Sequence, residues 1–124
     1  KPENVGPETV YFTGTHDNDT TLGWYTHLPD DVQQQVRQQL HAANADGVLD
    51  AMQATVLTSA ANLAVLPMQD ILRLGSEARM NTPGTLTGNW NWRFEWPMLT
   101  PDLAPSLLQQ LQKAHRCETT LKPA

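Results

Sequence analysis

The sequence predicts an α/β fold in which two short parallel strands alternate with amphipathic helices. Two runs, residues 8–13 and 62–67, are rich in β-branched, aromatic and other apolar side chains, which favour β-strands. The second run is continuously apolar from Leu63 onward, as in a strand buried on both faces of a parallel sheet. Between the two runs, residues 30–44 and 48–60 carry apolar side chains at helical spacing.

The first predicted strand stops at Gly14 and is followed by a cluster of polar side chains. A lead-in with proline and glycine, residues 1–7, precedes the strand, and Gly14 frees the backbone where it must turn. The clustered side chains are those of His16, Asp17, Asn18 and Asp19. Because ligands bind at the carboxyl ends of strands in sheets of this kind, the cluster is a candidate binding site.

Two other interpretations of this cluster do not involve an organic ligand. Asp17 and Asp19 have the alternation of a calcium loop, but the other oxygen ligands, the glycine and the late glutamate are not at the required offsets. We therefore predict no metal site. An Asx-rich turn that only caps the next helix remains open, since Asp and Asn are common turn residues.

The two predicted helices are interpreted as packing elements. The first opens at residues 28–30 with Asp30 as its N-cap and is expected to end near Asn44. A break at residues 45–47 separates it from the second helix, which runs from about Val48 to Ala60. Each has one apolar face, and the glutamines of the first helix form a solvated face.

Further polar residues follow the second strand. Gln69 and Asp70 come directly after it and are secondary site candidates, if the two strands are parallel and so end at the same edge. An equally weighted alternative has Asp70 capping a short helix of residues 71–73. The next loop, residues 76–84, contains a predicted tight turn at Pro83 and Gly84.

The last third of the chain offers aromatic residues and one more helix. Four aromatic side chains lie within residues 89–96, either as a platform for a sugar ring or, as we favour, as packing residues. Trp24, in the predicted loop directly after the polar cluster, is a better candidate to line the cleft than these four residues. Arg79 and Glu77 form either a structural ion pair or part of the site. A terminal helix begins at residues 100–102 and is expected to end near Cys117, before a short tail.

Composition restricts the class of partner. Thirteen acidic and eight basic residues give a net charge of −5, and no basic run is present to follow phosphates, so we predict no nucleic-acid partner. No stretch approaches the roughly 20 apolar residues that span a bilayer. The single Cys117 excludes an internal disulfide, which favours a reducing compartment and a cytoplasmic location.

Three segments of the chain resemble the amylomaltase family of 4-α-glucanotransferases, which belongs to the α-amylase clan. Residues 13–24 read Thr-Gly-Thr-His-Asp-Asn-Asp-Thr-Thr-Leu-Gly-Trp, residues 74–84 read Leu-Gly-Ser-Glu-Ala-Arg-Met-Asn-Thr-Pro-Gly, and residues 88–94 read Gly-Asn-Trp-Asn-Trp-Arg-Phe. The resemblance implies that residues 1–124 are the C-terminal part of a catalytic (β/α)8 TIM barrel. They would supply about the last two βα units and a terminal helix.

The resemblance also implies a function and a set of site residues. Such enzymes transfer α-1,4-glucan segments between malto-oligosaccharides with retention of configuration and without a cofactor. Asp17 matches the carboxylate that stabilises the transition state by holding sugar hydroxyls. The residues expected to contact substrate are His16, Asn18, Trp24, Asn81 and Pro83.

The family's nucleophile and acid/base lie on earlier strands and have no counterpart here. A complete barrel takes about 250 residues, so we expect the missing N-terminal part of the same polypeptide to be a partner of this segment. Open sheet edges invite pairing with other chains. We therefore expect the 124-residue chain alone to be inactive and poorly soluble or oligomeric. A non-catalytic carbohydrate-binding or scaffold fragment is the alternative.

Overall fold

Strands and helices alternate along residues 2–117, the part of the chain that the computed structural model describes. The strands are β1 (Val10–Phe12) and β2 (Leu63–Val65). The helices are α1 (Thr21–Thr26), α2 (Asp30–Leu40), α3 (Ala45–Thr58), α4 (Met68–Ile71) and α5 (Leu103–Lys113). Short 3-10 turns occupy Pro2–Asn4, Ser76–Ala78 and Trp96–Met98.

The two predicted strands exist and pair in parallel, as expected. Val10 lies opposite Leu63 and Phe12 opposite Val65, so the two strands end at the same edge. Successive side chains of a strand point to opposite faces, which places these four side chains on one face of the pair. All four are exposed. Helix α3 contacts β2, and we refer to Val10, Phe12, Leu63 and Val65 as the open face of the sheet.

The core lies between α1, α3 and the 3-10 turn at Ser76–Ala78. Tyr25 of α1 is almost fully buried, as are Val48 and Leu49 of α3 and Ala78. Of these residues, Leu49 belongs to the apolar face predicted for this helix. In the part of the chain that the structure describes, no helix is both long and apolar enough to cross a membrane.

Helix α1 was expected to be loop. Its N-cap is Thr20, whose hydroxyl accepts a hydrogen bond from the backbone N–H of Gly23 at 3.0 Å. Trp24 therefore lies on a helix and not in the loop that follows the polar cluster. The helix begins with Thr21 and has Gly23 at its third position, and both are weak helix formers, so the sequence gives little sign of this six-residue helix.

The boundaries of the next two helices differ from those expected. Helix α2 ends at Leu40 and not near Asn44, because His41 takes a left-handed conformation with φ of 53°. Asn44 instead caps α3, its side chain accepting from the N–H of Gly47 at 2.9 Å. The expected break at residues 45–47 is the first turn of α3. The N-cap of α2 is Pro29, and Asp30 is its first residue.

The last two helices also differ in detail. Asp70 lies within α4, so it does not cap a helix of residues 71–73. Helix α5 ends at Lys113, short of Cys117. The predicted tail lies outside the described residues. Beyond α5, the Arg116 guanidinium donates hydrogen bonds to the carbonyls of Ser59 at 3.0 Å and Ala61 at 2.8 Å, which ties the end of the helix to the start of β2.

Candidate functional site

The polar cluster lies where the two strands end, and a second loop is fastened to it. The loop of residues 14–20 leads from β1 to α1, and residues 79–90 fold against it. Because the strands are parallel, Gln69 and Asp70 lie at the same edge, as expected. A cavity of about 190 Å³ opens between these segments, with His16 and Arg79 in its lining.

Asp17 is held by the second loop through its side chain and its backbone. The Asn81 amide Nδ2 donates to Asp17 Oδ1 at 2.7 Å. The Arg79 guanidinium donates to the Asp17 carbonyl at 2.8 Å and, through Nε, to the Asn81 carbonyl at 2.8 Å. Asp17 Oδ2 carries no hydrogen bond from any residue between 2 and 117. One carboxylate oxygen is thus fixed, and the other is available to an external donor.

His16 contacts both Asp17 and an aromatic residue. Its Nε2 lies 3.3 Å from Asp17 Oδ1, and its carbonyl accepts from the N–H of Asn81 at 3.1 Å. The imidazole and the indole of Trp90 have ring centroids 5.0 Å apart and planes inclined by 39°. More than half of each of the two side chains of His16 and Asp17 is exposed.

Trp90 reaches this position through an uncommon backbone conformation. Its φ is 63°, in the left-handed region, and its N–H donates to the Met80 carbonyl at 2.7 Å. Trp90 is 60% exposed in the described chain. The His16 imidazole therefore contacts both the Asp17 carboxylate and the exposed indole of Trp90.

Asp70 lies beneath the polar loop and holds both of its ends. The residue is only 2% exposed. Its Oδ2 accepts from the hydroxyls of Thr13 and Thr21, each at 2.7 Å, and its Oδ1 accepts from the N–H of Thr21 at 2.8 Å. These hydrogen bonds satisfy a buried carboxylate, whose burial would otherwise be costly.

Asn18 has its side chain engaged within the polar loop. Its Oδ1 accepts from the N–H of Thr15 at 2.7 Å and from the Thr15 hydroxyl at 2.9 Å. Asp19 accepts from the N–H of Thr20 at 2.8 Å and from the Ser76 hydroxyl at 2.6 Å. The turn interpretation therefore describes Asn18 and Asp19, although Thr20, and neither of these residues, caps the next helix. His16 and Asp17 have exposed side chains.

The other predicted residues lie around this centre. Trp24 borders a separate cavity next to Thr13 and Asn18. Pro83 is exposed in the predicted tight turn, in which the N–H of Thr85 donates to the Thr82 carbonyl at 3.2 Å and Gly84 has φ of 83°. Gln69 lines the cavity and its amide donates to the Ala78 carbonyl at 3.3 Å.

An ion pair between Glu77 and Arg79, one of the two alternatives that the sequence leaves open, does not form. Glu77 accepts from the N–H of Gly75 at 2.9 Å, while Arg79 serves the backbone carbonyls described above. The sequence leaves a place in the site open for both Arg79 and Trp90, but it does not predict their contacts with Asp17 and His16. Arg79 is 62 residues from Asp17 in sequence and Trp90 is further still from His16, so local spacing contains no signal for these contacts.

Comparison with known proteins gives a consistent result. A family model described as 4-alpha-glucanotransferase matches residues 1–100. A 4-alpha-glucanotransferase of Synechocystis is 48% identical over 85 residues, which are 68% of this chain and 17% of the relative. A chloroplastic or amyloplastic 4-alpha-glucanotransferase of rice is 43% identical over 104 residues, which are 84% of this chain and 18% of the relative.

A solved structure agrees in fold. The amylomaltase of Streptococcus agalactiae in complex with acarbose superposes with a TM-score of 0.85 at 26% sequence identity, covering 94% of this chain and 24% of that one. The chain spans about a fifth of the length of the curated relatives it matches.

Proposed function

Because this chain belongs to the 4-alpha-glucanotransferase family, we propose that it works as the C-terminal part of an enzyme that transfers α-1,4-glucan segments between malto-oligosaccharides with retention of configuration. We call the longer chain that would contain it the parent polypeptide. The observation that carries the proposal is the carboxylate of Asp17, which Asn81 holds through one oxygen and leaves open at the other.

In this proposal Asp17 stabilises the transition state. Retaining transfer passes through an oxocarbenium-like state in which the sugar ring flattens, and hydrogen bonds to ring hydroxyls strengthen as it forms. Asp17 Oδ2 would accept from a hydroxyl of the donor-side glucose. Asn81 prevents the carboxylate from turning away, so the interaction needs no reorganisation when charge develops. The nucleophile and the acid/base belong to the remainder of the parent polypeptide.

The neighbouring residues suit an uncharged sugar chain. His16 lies next to Asp17 and would donate to the same sugar, and the exposed indole of Trp90 offers a flat apolar surface for a pyranose ring. Asn18, Trp24 and Pro83 remain candidates for more distant contacts. That the related amylomaltase forms a complex with acarbose supports a malto-oligosaccharide or α-glucan as the substrate.

The open face of the sheet supports a place within a barrel. The interior of a (β/α)8 barrel is filled by large branched and aromatic side chains from its strands. Val10, Phe12, Leu63 and Val65 form such a surface, and α3 contacts β2 as an outer helix of a barrel would. We propose that the two strands are the last two of the barrel and that the parent polypeptide supplies the others.

The single Cys117 suits a reducing compartment, and we propose a cytoplasmic location.

Replacement of Asp17 by Asn in the parent polypeptide tests this proposal. The amide keeps the shape and loses the negative charge, so kcat for transfer between maltotriose molecules should fall by about 100-fold or more, with a much smaller change in KM. Glu8→Gln is the matched control, since Glu8 is exposed just before β1, at the opposite end of the strand. Unchanged turnover in Asp17→Asn would contradict the role given to this residue.

A protein that binds glucan without transferring it is the second candidate function. It predicts that the unaltered parent polypeptide binds maltotriose and releases no glucose. Transfer activity in the parent polypeptide would exclude this candidate.

A further inference from the structure

The polar loop that carries His16 and Asp17 is held at both ends by one buried carboxylate. Thr13 precedes the loop of residues 14–20 and Thr21 follows it. Both threonines donate to Asp70, through three hydrogen bonds of 2.7 to 2.8 Å. Asp70 belongs to α4, which follows β2, so the loop after one strand is anchored to the element after the neighbouring strand.

This arrangement makes the position of the loop depend on Asp70. The residue is 2% exposed, and a buried carboxylate is stable only where donors surround it. Its donors include the first backbone N–H of α1 and hydroxyls on both sides of the loop. A displacement of either end of the loop would leave part of the buried carboxylate without a donor, which is unfavourable.

The same contacts argue against Asp70 as a substrate ligand. Both of its oxygens already accept hydrogen bonds from protein groups. A sugar hydroxyl could reach the carboxylate only by displacing a threonine. The chemistry available to Asp70 is therefore to hold the loop, and the exposed Asp17 is the carboxylate that can meet a sugar.

We infer that Asp70 is a positioning residue, which sets the place of Asp17 by fixing the two ends of its loop. The inference rests on the proposed function, because it concerns the carboxylate that the proposal assigns to transition-state stabilisation. It adds a residue that acts without touching the substrate. Small misplacements of catalytic groups have large effects on rate, so loss of this anchor should appear mainly in kcat.

Asp70→Ala in the parent polypeptide is the direct test. Removal of the anchor should lower kcat by roughly 10- to 100-fold, with KM changed by less than about threefold. Asp70→Asn should retain most of the activity. Its carbonyl oxygen can accept from the N–H of Thr21, and its amide can donate to hydroxyls that rotate to accept. Asp50→Ala is the matched control, since Asp50 is an exposed aspartate that pairs with Arg73 on the surface.

A double substitution separates positioning from general support of the fold. In an Asp17→Asn background, Asp70→Ala should lower kcat by far less than in the unaltered enzyme, because the carboxylate that it positions is absent. Equal losses in both backgrounds would overturn the inference. An effect confined to thermal stability, with kcat of the folded fraction unchanged, would overturn it as well.

Thr13→Val keeps the test possible if Asp70→Ala does not fold. Valine has nearly the shape of threonine and removes only one of the three hydrogen bonds, so kcat should fall several-fold in a folded enzyme. If Asp70→Ala does not fold, an unchanged kcat in folded Thr13→Val would overturn the inference. A normal kcat in Asp17→Asn would instead refute the proposed function, so the two failures are distinguishable.

Discussion

The hydrogen bond from Asn81 to Asp17 joins two residues that are 64 positions apart in the chain. It fixes one oxygen of an exposed carboxylate, and a carboxylate held in one orientation can meet a hydroxyl without first losing rotational freedom. Trp90 adds an aromatic surface beside it, with His16 between the indole and the carboxylate. At the scale of single residues, the loop of residues 79–90 therefore holds the Asp17 carboxylate in an orientation in which it can bind a ligand.

Substitutions at Asn81 should reduce turnover in a defined order. Asn81→Ala removes the donor and should lower kcat about tenfold, the effect of losing one or two kcal/mol of positioning. Asn81→Asp should lower it further, since two adjacent carboxylates repel and one of them is driven to bind a proton. Steady-state kinetics at a single pH measure both. Asn62→Ala, an exposed amide just before β2, is the control. Equal kcat values for Asn81→Asp and the unaltered enzyme would contradict the assignment.

Removal of the Trp90 indole should weaken binding more than it slows catalysis. Trp90→Ala should raise KM by about fivefold, which corresponds to a contact of about 1 kcal/mol, while Trp90→Phe should keep most of the affinity. The exposed Trp96, which is directed at Phe94 in an edge-to-face contact, provides the control substitution Trp96→Ala. If both tryptophan variants have the same KM, Trp90 is not a sugar platform.

Strands and helices are predictable from the sequence where a local pattern of residues exists. They are not predictable where a cap or a distant contact determines where the helix begins or ends. Strand β1 is evident from its β-branched and aromatic residues and β2 from its continuous apolar run. The apolar faces of α2 and α3 are evident from the spacing of their apolar residues. Helix α1 is short and begins with weak helix formers. The first turn of α3 contains Gly47, at which the sequence predicts a break, although Asn44 caps the helix there. His41 and Trp90 have left-handed backbone conformations, which the identity of their side chains does not predict.

The same distinction applies to the candidate site. The His16 and Asp17 pair is recognisable from its place after a strand and from the family motif. The contacts of Arg79, Asn81 and Asp70 depend on the packing of neighbouring elements, which the spacing of residues does not contain.

The cap of α3 gives a prediction at this scale. Asn44→Ala removes the acceptor for the N–H of Gly47 and should lower the free energy of unfolding by about 1 kcal/mol. Urea denaturation of the parent polypeptide measures this change. Gln39→Ala, at an exposed position of α2, should alter stability by less than about 0.5 kcal/mol. A stability equal to that of Gln39→Ala would show that the cap contributes nothing.

At the scale of the whole molecule, the open face of the sheet is the feature that stands out. Four large apolar side chains, those of Val10, Phe12, Leu63 and Val65, lie together on a pair of strands whose outer edges carry no further strand among the described residues. Surfaces of this kind associate in water, and unpaired strand edges accept other chains. Within a barrel the same surface would be interior.

Substitution in the open face should therefore improve the behaviour of the 124-residue chain and destabilise the parent polypeptide. In the 124-residue chain, Phe12→Thr should reduce self-association, seen as a smaller mass by light scattering. In the parent polypeptide it should lower stability by about 3 kcal/mol, because an aromatic side chain leaves a packed interior. A chain that is monomeric before substitution, or a parent polypeptide that tolerates the change, would contradict the proposed place in a barrel.

The grip of Arg79 has a practical consequence. Its guanidinium donates hydrogen bonds to the backbone carbonyls of Asp17 and Asn81, so these two contacts do not depend on either side chain. Replacement of the Asp17 side chain should therefore abolish transfer activity while both loops keep their positions. An inactive Asp17→Asn enzyme is in that case a suitable form in which to trap an intact glucan for crystallography, because the cleft that receives the sugar would retain its shape.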